Sequence, residues 1–134
     1  MKIVSQIKGP GLFSQMARLE YRALLPGQPI ILQRQPGNIA DKNAVVALTA
    51  FLQPCGYIAK EQAAIIAPDM DRGILWLCKV IHQATAMHCP RVILWTASGQ
   101  TIHFTDAMLR CGASQAVADA VLRGAYTKEP EEAA

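Results

Sequence analysis

Short segments in which apolar and polar residues alternate, or in which β-branched residues cluster, recur along the chain and predict β-strands. Apolar and polar residues are interspersed in the first segment, and the second is centred on three consecutive apolar residues, Ile30 to Leu32. Turn-forming glycine, proline and asparagine separate these segments. The predicted strands are residues 2–7, 28–34, 44–48, 55–58, 74–83 and 91–96.

Apolar residues at helical spacing predict four helices, over residues 14–25, 60–70, 107–111 and 115–123. Residues 19–23 also alternate, so a strand remains an alternative there. Pro68 disfavours a final turn of the second helix beyond it. Candidate caps are Ser14, Ser114 and either Thr105 or Asp106, and candidate terminating glycines are Gly112 and Gly124.

Short strands with interspersed helices predict an α+β fold that is mostly β. The expected architecture is a small OB-like β-barrel with flanking helices and a C-terminal helical extension. We predict a barrel domain over residues 1–98, a helical extension over residues 99–126 packed on it, and a disordered tail over residues 127–134. Three glutamates in that tail leave the rest of the chain more basic than the total charge indicates.

Composition is that of one globular domain. The chain has 134 residues, of which 51% are hydrophobic and 17% charged, with a net charge of +3. A mild basic excess permits a polyanionic partner. No segment has the length of a membrane span, and the start has no apolar signal core, so the expected location is cytoplasmic. None of the four cysteines are spaced as a CxxC pair, and we interpret them as free thiols rather than disulfides.

The most informative segments are residues 32–45, 56–63 and 66–73. In the first, Arg34 ends a strand, the chain turns through Pro36 to Asn38, and short polar side chains follow that can bond the backbone of the return loop. The second contains Gly56-Tyr57-Ile58 and a lysine that opens a helix. The third carries the end of that helix and an acidic turn with a glycine.

Taken together, these segments resemble the HIRAN domain family, over approximately residues 3–73 and more weakly to residue 96. The resemblance implies a modified OB-like barrel that binds DNA, including single-stranded 3′ ends, in repair, replication or mobile-element processes. It implies that Asp41 accepts a bond from a terminal sugar hydroxyl and that Lys60 meets phosphate. Ala40 stands where end-binding members carry a stacking aromatic residue, and after the first strand only Phe13 is aromatic.

The predicted nucleic-acid-binding residues are Arg34, Asn38, Asp41, Lys42, Asn43, Tyr57 and Lys60. Each has a structural alternative. Asp41 and Asn43 can simply hold the loop, Lys60 can be a solvated helix start, and Tyr57 can be half-buried packing. Arg34 can merely decorate a strand end.

No catalytic group, cofactor or metal is predicted, and the protein is not expected to be an enzyme. Three histidines and Cys89 invite a metal site, but they lack the paired short spacings of structural zinc. The phosphate-binding motif of a motor is missing from the chain, so the module acts alone or with a separate helicase or nuclease. The alternative function is a protein–protein interaction module or a homo-oligomeric adaptor, with Ala116 and Ala120 as a small-residue face for a homodimer.

Overall fold

Six antiparallel strands form a closed barrel in the order β1-β4-β3-β2-β5-β6. The computed structural model describes residues 2–9, 13, 15–96 and 101–125, except for the side chains of residues 101–103. The strands are Lys2–Lys8 (β1), Pro29–Arg34 (β2), Val45–Leu48 (β3), Pro54–Ile58 (β4), Trp76–His82 (β5) and Arg91–Thr96 (β6). The helices are Gln15–Ala23 (α1), Lys60–Asp71 (α2), Thr101–Arg110 (α3) and Gln115–Leu122 (α4).

The first strand closes the barrel because it pairs on both sides. Residues 2–6 of β1 pair with β6, with Lys2 opposite Trp95. Its last two residues pair with β4, with Lys8 opposite Tyr57. The sheet therefore has no free edge at β1.

Two apolar layers stabilise this arrangement. The inward side chains of the barrel strands pack with α2, which contributes Ala63, Ile66, Ala67 and Met70 to the barrel core. A second cluster lies outside the barrel, where Phe104 of α3 and Val121 of α4 pack with outward residues of β2, β3 and β5. Helices α3 and α4 thus cover one outer face of the sheet.

The predicted fold class is confirmed: the chain is mostly β, with a closed barrel and flanking helices. Residues 19–23 are helical, so the strand alternative for that segment is wrong. Helix α2 continues past Pro68 to Asp71. The completely buried Met70 supplies the reason, because the core contact holds the last turn although proline removes one hydrogen-bond donor.

The third helix corrects the sequence prediction. It begins at Thr101, so Thr105 and Asp106 lie inside it rather than at its cap. Phe104 and Met108, four residues apart, are both buried on the outer cluster, and this contact extends the helix toward its start.

The fourth helix begins at Gln115 as predicted and ends at Leu122, one residue earlier than predicted. The Ser114 hydroxyl oxygen accepts a hydrogen bond from the Val117 backbone N–H at 3.2 Å, and Gly124 follows the last turn with φ 75°. The predicted cap Ser14, residues 99–100 and the predicted tail lie outside the described residues. The division of the chain into a barrel domain and an extension stays a prediction.

The cysteines are free thiols, and two of them, Cys55 and Cys78, are buried. The Cys55 Sγ–H donates to the Ala47 carbonyl at 3.3 Å. Burial raises the pKa of the Cys55 thiol to about 12. Across the described ranges, no helix is long and apolar enough to cross a bilayer.

Candidate nucleic-acid interface

The turn between β2 and β3 is organised by Asn38. Its Oδ1 accepts hydrogen bonds from the backbone N–H groups of Ala40 at 2.9 Å and Asp41 at 3.1 Å. Its Nδ2 donates to Oε1 of Gln35 at 2.8 Å. Asn38 therefore ties both sides of the bend together, as short amide side chains do in turns.

Asp41 holds the return of the same turn. Its Oδ1 accepts from the Asn43 backbone N–H at 2.9 Å, and its carbonyl accepts from the Ala44 N–H at 3.0 Å. Asn43 is half-buried, whereas Lys42 between them is exposed. The loop role proposed as the alternative for Asp41 is thus present, and it leaves the Lys42 ammonium at the surface.

Arg34 lies beneath the turn and not on its surface. Only 3% of its side chain is exposed. Its guanidinium donates to both carboxylate oxygens of Asp71, at 2.8 and 3.2 Å, and to the carbonyls of Ala44 at 2.7 Å and Lys42 at 3.0 Å. The prediction that the loop displays Arg34 at its surface is therefore wrong. The arginine clamps the turn to the end of α2.

Tyr57 connects the turn to an aromatic surface. Its hydroxyl donates to Oε1 of Gln35 at 2.7 Å, and Nδ2 of Asn38 lies 3.4 Å from the same hydroxyl oxygen. Its ring stacks on Phe13, with ring centroids 5.0 Å apart and an angle of 25° between the planes. Two aromatic rings therefore stand directly beside the polar turn.

Lys8 is a neighbour of this stack that the sequence prediction missed. It pairs with Tyr57 across β1 and β4, so the two side chains project from the same outer face. Gly56 permits the close approach of the strands, because a Cβ there would lie 2.7 Å from the Lys8 carbonyl oxygen. The alternation in β1, continued by one residue, would have placed Lys8 outside the barrel.

Lys60 begins α2 two residues after the end of β4. Because β3 and β4 are antiparallel, with Val46 opposite Tyr57, the end of β4 and the start of β3 share one end of the barrel. Lys60 and the β2–β3 turn consequently lie at that same end. Lys60 is exposed.

Three exposed lysines lie at this end of the barrel, together with the carboxylates of Asp41 and Glu61. The described part of the chain has two ion pairs, Arg34–Asp71 and Arg72–Asp69, and neither includes a lysine. Lys8, Lys42 and Lys60 are all exposed. They are therefore available to phosphate groups.

Three of the four residues considered as metal ligands lie near one another. His82, His88 and Cys89 line one open cavity between β1, α2 and the β5–β6 connection. Within the ranges that the structure describes, no group of three or more His, Cys, Asp or Glu side chains is placed to hold an ion. The side chain of His103 lies outside the described residues.

Comparison with solved structures finds the same fold elsewhere. A crystal structure of a protein from Lactobacillus plantarum matches with a TM-score of 0.62 and 24% identity, over 72% of this chain and 95% of that one. The crystal structure of the HIRAN domain of human HLTF matches with a TM-score of 0.60 and 18% identity, over 83% of this chain and 88% of that one. Comparison with curated proteins returned no significant match.

A family model, that of the HIRAN domain, matches residues 5–99. This stretch contains all six strands except the first three residues of β1, together with α1 and α2. It also contains the β2–β3 turn, the Phe13–Tyr57 stack and the three lysines beside them. The chain belongs to the HIRAN domain family, a family of DNA-binding modules that are not catalytic by themselves.

Proposed function

We propose that this protein binds single-stranded DNA, including its 3′ end, on the surface formed by Lys8, Phe13, Asn38, Asp41, Lys42, Asn43, Tyr57 and Lys60, here called the turn–aromatic surface. The observation that carries the proposal is the position of Tyr57. One residue joins the polar turn through its hydroxyl and the aromatic stack through its ring. A nucleotide also needs a polar and an aromatic partner side by side.

Bases and phosphates meet different parts of this surface. Phe13 is half-buried, so part of its ring is open to a base that extends the stack. Base–aromatic stacking contributes about 1–3 kcal/mol per base in proteins that bind single strands. The three lysines attract the backbone without regard to sequence.

Asp41 is the group proposed for a terminal hydroxyl. Its Oδ1 is used by the Asn43 backbone, while its Oδ2 accepts no hydrogen bond from the described residues. That free oxygen suits a 3′-hydroxyl donor, and a 3′-phosphate would meet a repelling carboxylate instead. Preference for a free 3′ end follows from this difference.

A binding module of this kind has a supporting role in the cell. We place it in DNA repair, replication or a mobile-element process in the cytoplasm, acting alone or beside a separate helicase or nuclease. The family assignment supports this proposal through the DNA-binding character of the family.

Fluorescence anisotropy with labelled oligonucleotides tests the proposal. The ligands are single-stranded DNA with a free or a phosphate-blocked 3′ end, duplex DNA and RNA, each at roughly 50 and 200 mM salt. We expect the tightest binding to the free-ended single strand, weakened at higher salt. Lys60→Glu should reduce affinity, whereas Arg123→Glu, an equal change of charge at an exposed position after α4, should not. If both variants bind the oligonucleotide with the same affinity, Lys60 does not belong to the binding site.

The alternative function, an interaction module or a homo-oligomeric adaptor, rests on exposed apolar side chains. Met16 and Leu19 of α1 are 54% and 63% exposed, and Ala116 of α4 is also exposed. Light scattering distinguishes the two functions. A dimer that Leu19→Glu dissociates would favour the adaptor, and a monomer that binds DNA would exclude it.

A further inference from the structure

A second pocket lies on the outer face of the barrel, away from the β2–β3 turn. It has a volume of about 300 Å³ and lies between α3 and the strands β1, β2, β5 and β6. Its floor consists of cross-strand neighbours, with Lys2 opposite Trp95 and Lys79 opposite Ile93. One wall is Phe104 of α3, whose ring meets Trp95 edge-on with centroids 6.0 Å apart.

This pocket combines an aromatic lining with positive charge. Lys2 and Lys79 both line it, and none of its described lining residues is acidic. The Lys79 Nζ lies 6.0 Å from the centroid of the Trp95 ring, which keeps the ammonium at the pocket. Neither lysine belongs to an ion pair in the described parts of the chain. A ligand that matches this lining has a flat apolar body and an anionic group.

We propose that this pocket binds a nucleotide unit, with the base against Trp95 and Phe104 and the phosphate between Lys2 and Lys79. The volume is at the lower end of the range for small-molecule sites and fits one such unit. Apolar and aromatic walls with a few charged groups are the usual lining of such sites. The unit is either a free mononucleotide or one nucleotide of a longer strand, since the chemistry is the same.

The pocket does not depend on the turn–aromatic surface. Its Lys2 and α3 wall lie outside residues 5–99, the range that the family model matches. Lys2 and Lys8 stand at opposite ends of β1, a separation of roughly 20 Å at the rise of an extended strand. The two sites can therefore be tested one at a time.

Tryptophan fluorescence provides a direct reading of the pocket. Of the two tryptophans, Trp76 is 3% exposed and bonded to Asp69, whereas Trp95 lines the pocket. Deoxyadenosine monophosphate should change the emission saturably, and Trp95→Phe should abolish the change. Lys2→Gln and Lys79→Gln should each weaken binding roughly ten- to hundredfold, which corresponds to loss of one charge-assisted contact. Arg123→Gln, which removes the same charge at an exposed position after α4 and outside both sites, is the matched control and should leave the change in emission unaltered.

Further probes identify the ligand and its source. If titration of Trp95 emission gives a higher affinity for a short single-stranded oligonucleotide than for the mononucleotide, the natural ligand is one nucleotide of a longer strand. If the mononucleotide alone acts, the source is the free nucleotide. If deoxyadenosine binds as tightly as deoxyadenosine monophosphate, the lysines do not contact the phosphate. If inorganic phosphate binds as tightly as the nucleotide, the rings do not contact the base. Either result, or no change in emission up to ~10 mM nucleotide, would overturn the proposal. Loss of oligonucleotide anisotropy in Lys60→Glu concerns only the turn–aromatic surface.

Discussion

Replacement of Arg34 by methionine tests whether the turn is clamped from below. Methionine keeps the apolar stem of the side chain and removes the guanidinium. Four hydrogen bonds are lost, two to Asp71 and two to the carbonyls of Ala44 and Lys42. The structure predicts that these two pairs of bonds have unequal value.

The ion pair contributes the smaller part. The Asp71 side chain is 53% exposed, so water can solvate it when the arginine is removed. Partly exposed pairs contribute about 0–1 kcal/mol. The Arg34–Ala44 bond, by contrast, is buried. The Ala44 carbonyl keeps the Gln35 backbone N–H as a second donor at 3.0 Å, so the variant loses one buried hydrogen bond from a charged group, which contributes about 1.5–3 kcal/mol. Arg34→Met should therefore lower the free energy of unfolding by about 2–4 kcal/mol.

Urea unfolding measures this loss, provided that the transition is two-state. A loss of less than about 1 kcal/mol would mean that the buried carbonyl contacts matter little. DNA titration of the folded Arg34→Met protein gives a second reading. A phosphate contact at Arg34 would reduce the slope of log affinity against log salt by about one, whereas a buried clamp leaves the slope unchanged.

Three other predictions follow from single positions. Ile39 is fully exposed at the tip of the turn, so Ile39→Ser should change stability by less than about 0.5 kcal/mol in urea unfolding; weaker DNA binding in anisotropy would show that it contacts bases, and a large loss of stability would contradict its exposure. Gly112→Ala should cost more than Gly27→Ala in thermal unfolding. Both have positive φ, which costs about 1–2 kcal/mol for a side chain, but only at Gly112 would the new Cβ collide with a ring, that of Phe51 at 2.6 Å. Because burial raises the pKa of Cys55 to about 12, its contribution to stability is fully present below the ordinary pKa near 9.0 and is lost as pH rises through about 12. Cys55→Ala should therefore flatten the fall in unfolding free energy between about pH 9 and pH 12, and an unchanged fall would assign it to other groups, such as the buried Cys78, whose pKa is also raised.

The strands and most helices could be predicted because their patterns are local. The apolar run at β2 coincides with buried positions. In β1 the pattern predicts the strand but not each residue's burial, because Ser5 is buried and Val4 is exposed. The start of α3 could not be found in this way. Its first turns are stabilised by contacts of Phe104 with residues far away in sequence. The local pattern instead indicated caps at Thr105 or Asp106, and so predicted a later start.

The sequence predicted part of the candidate site but not its geometry. The sequence motif includes Asn38, Asp41 and Tyr57. In the structure Asn38 bonds both the Asp41 backbone N–H and the Tyr57 hydroxyl, so the three residues are neighbours. Arg34 is the counterexample, because a strand-end arginine gives no local sign of burial. Its burial depends on Asp71, which is 37 residues away. Lys8 was missed for a related reason, since its neighbour Tyr57 becomes visible only with the register of β1 and β4.

Helix α2 explains why the three motif segments belong together. It begins at Lys60, immediately after the strand that carries Tyr57, and ends at Asp71, which holds Arg34 beneath the β2–β3 turn. Between these ends its apolar face fills the barrel. The same helix therefore sets both sides of the turn–aromatic surface and is itself fixed by the core. A surface held in this way loses little conformational entropy on binding, so contacts from a few side chains can be enough to hold a single strand.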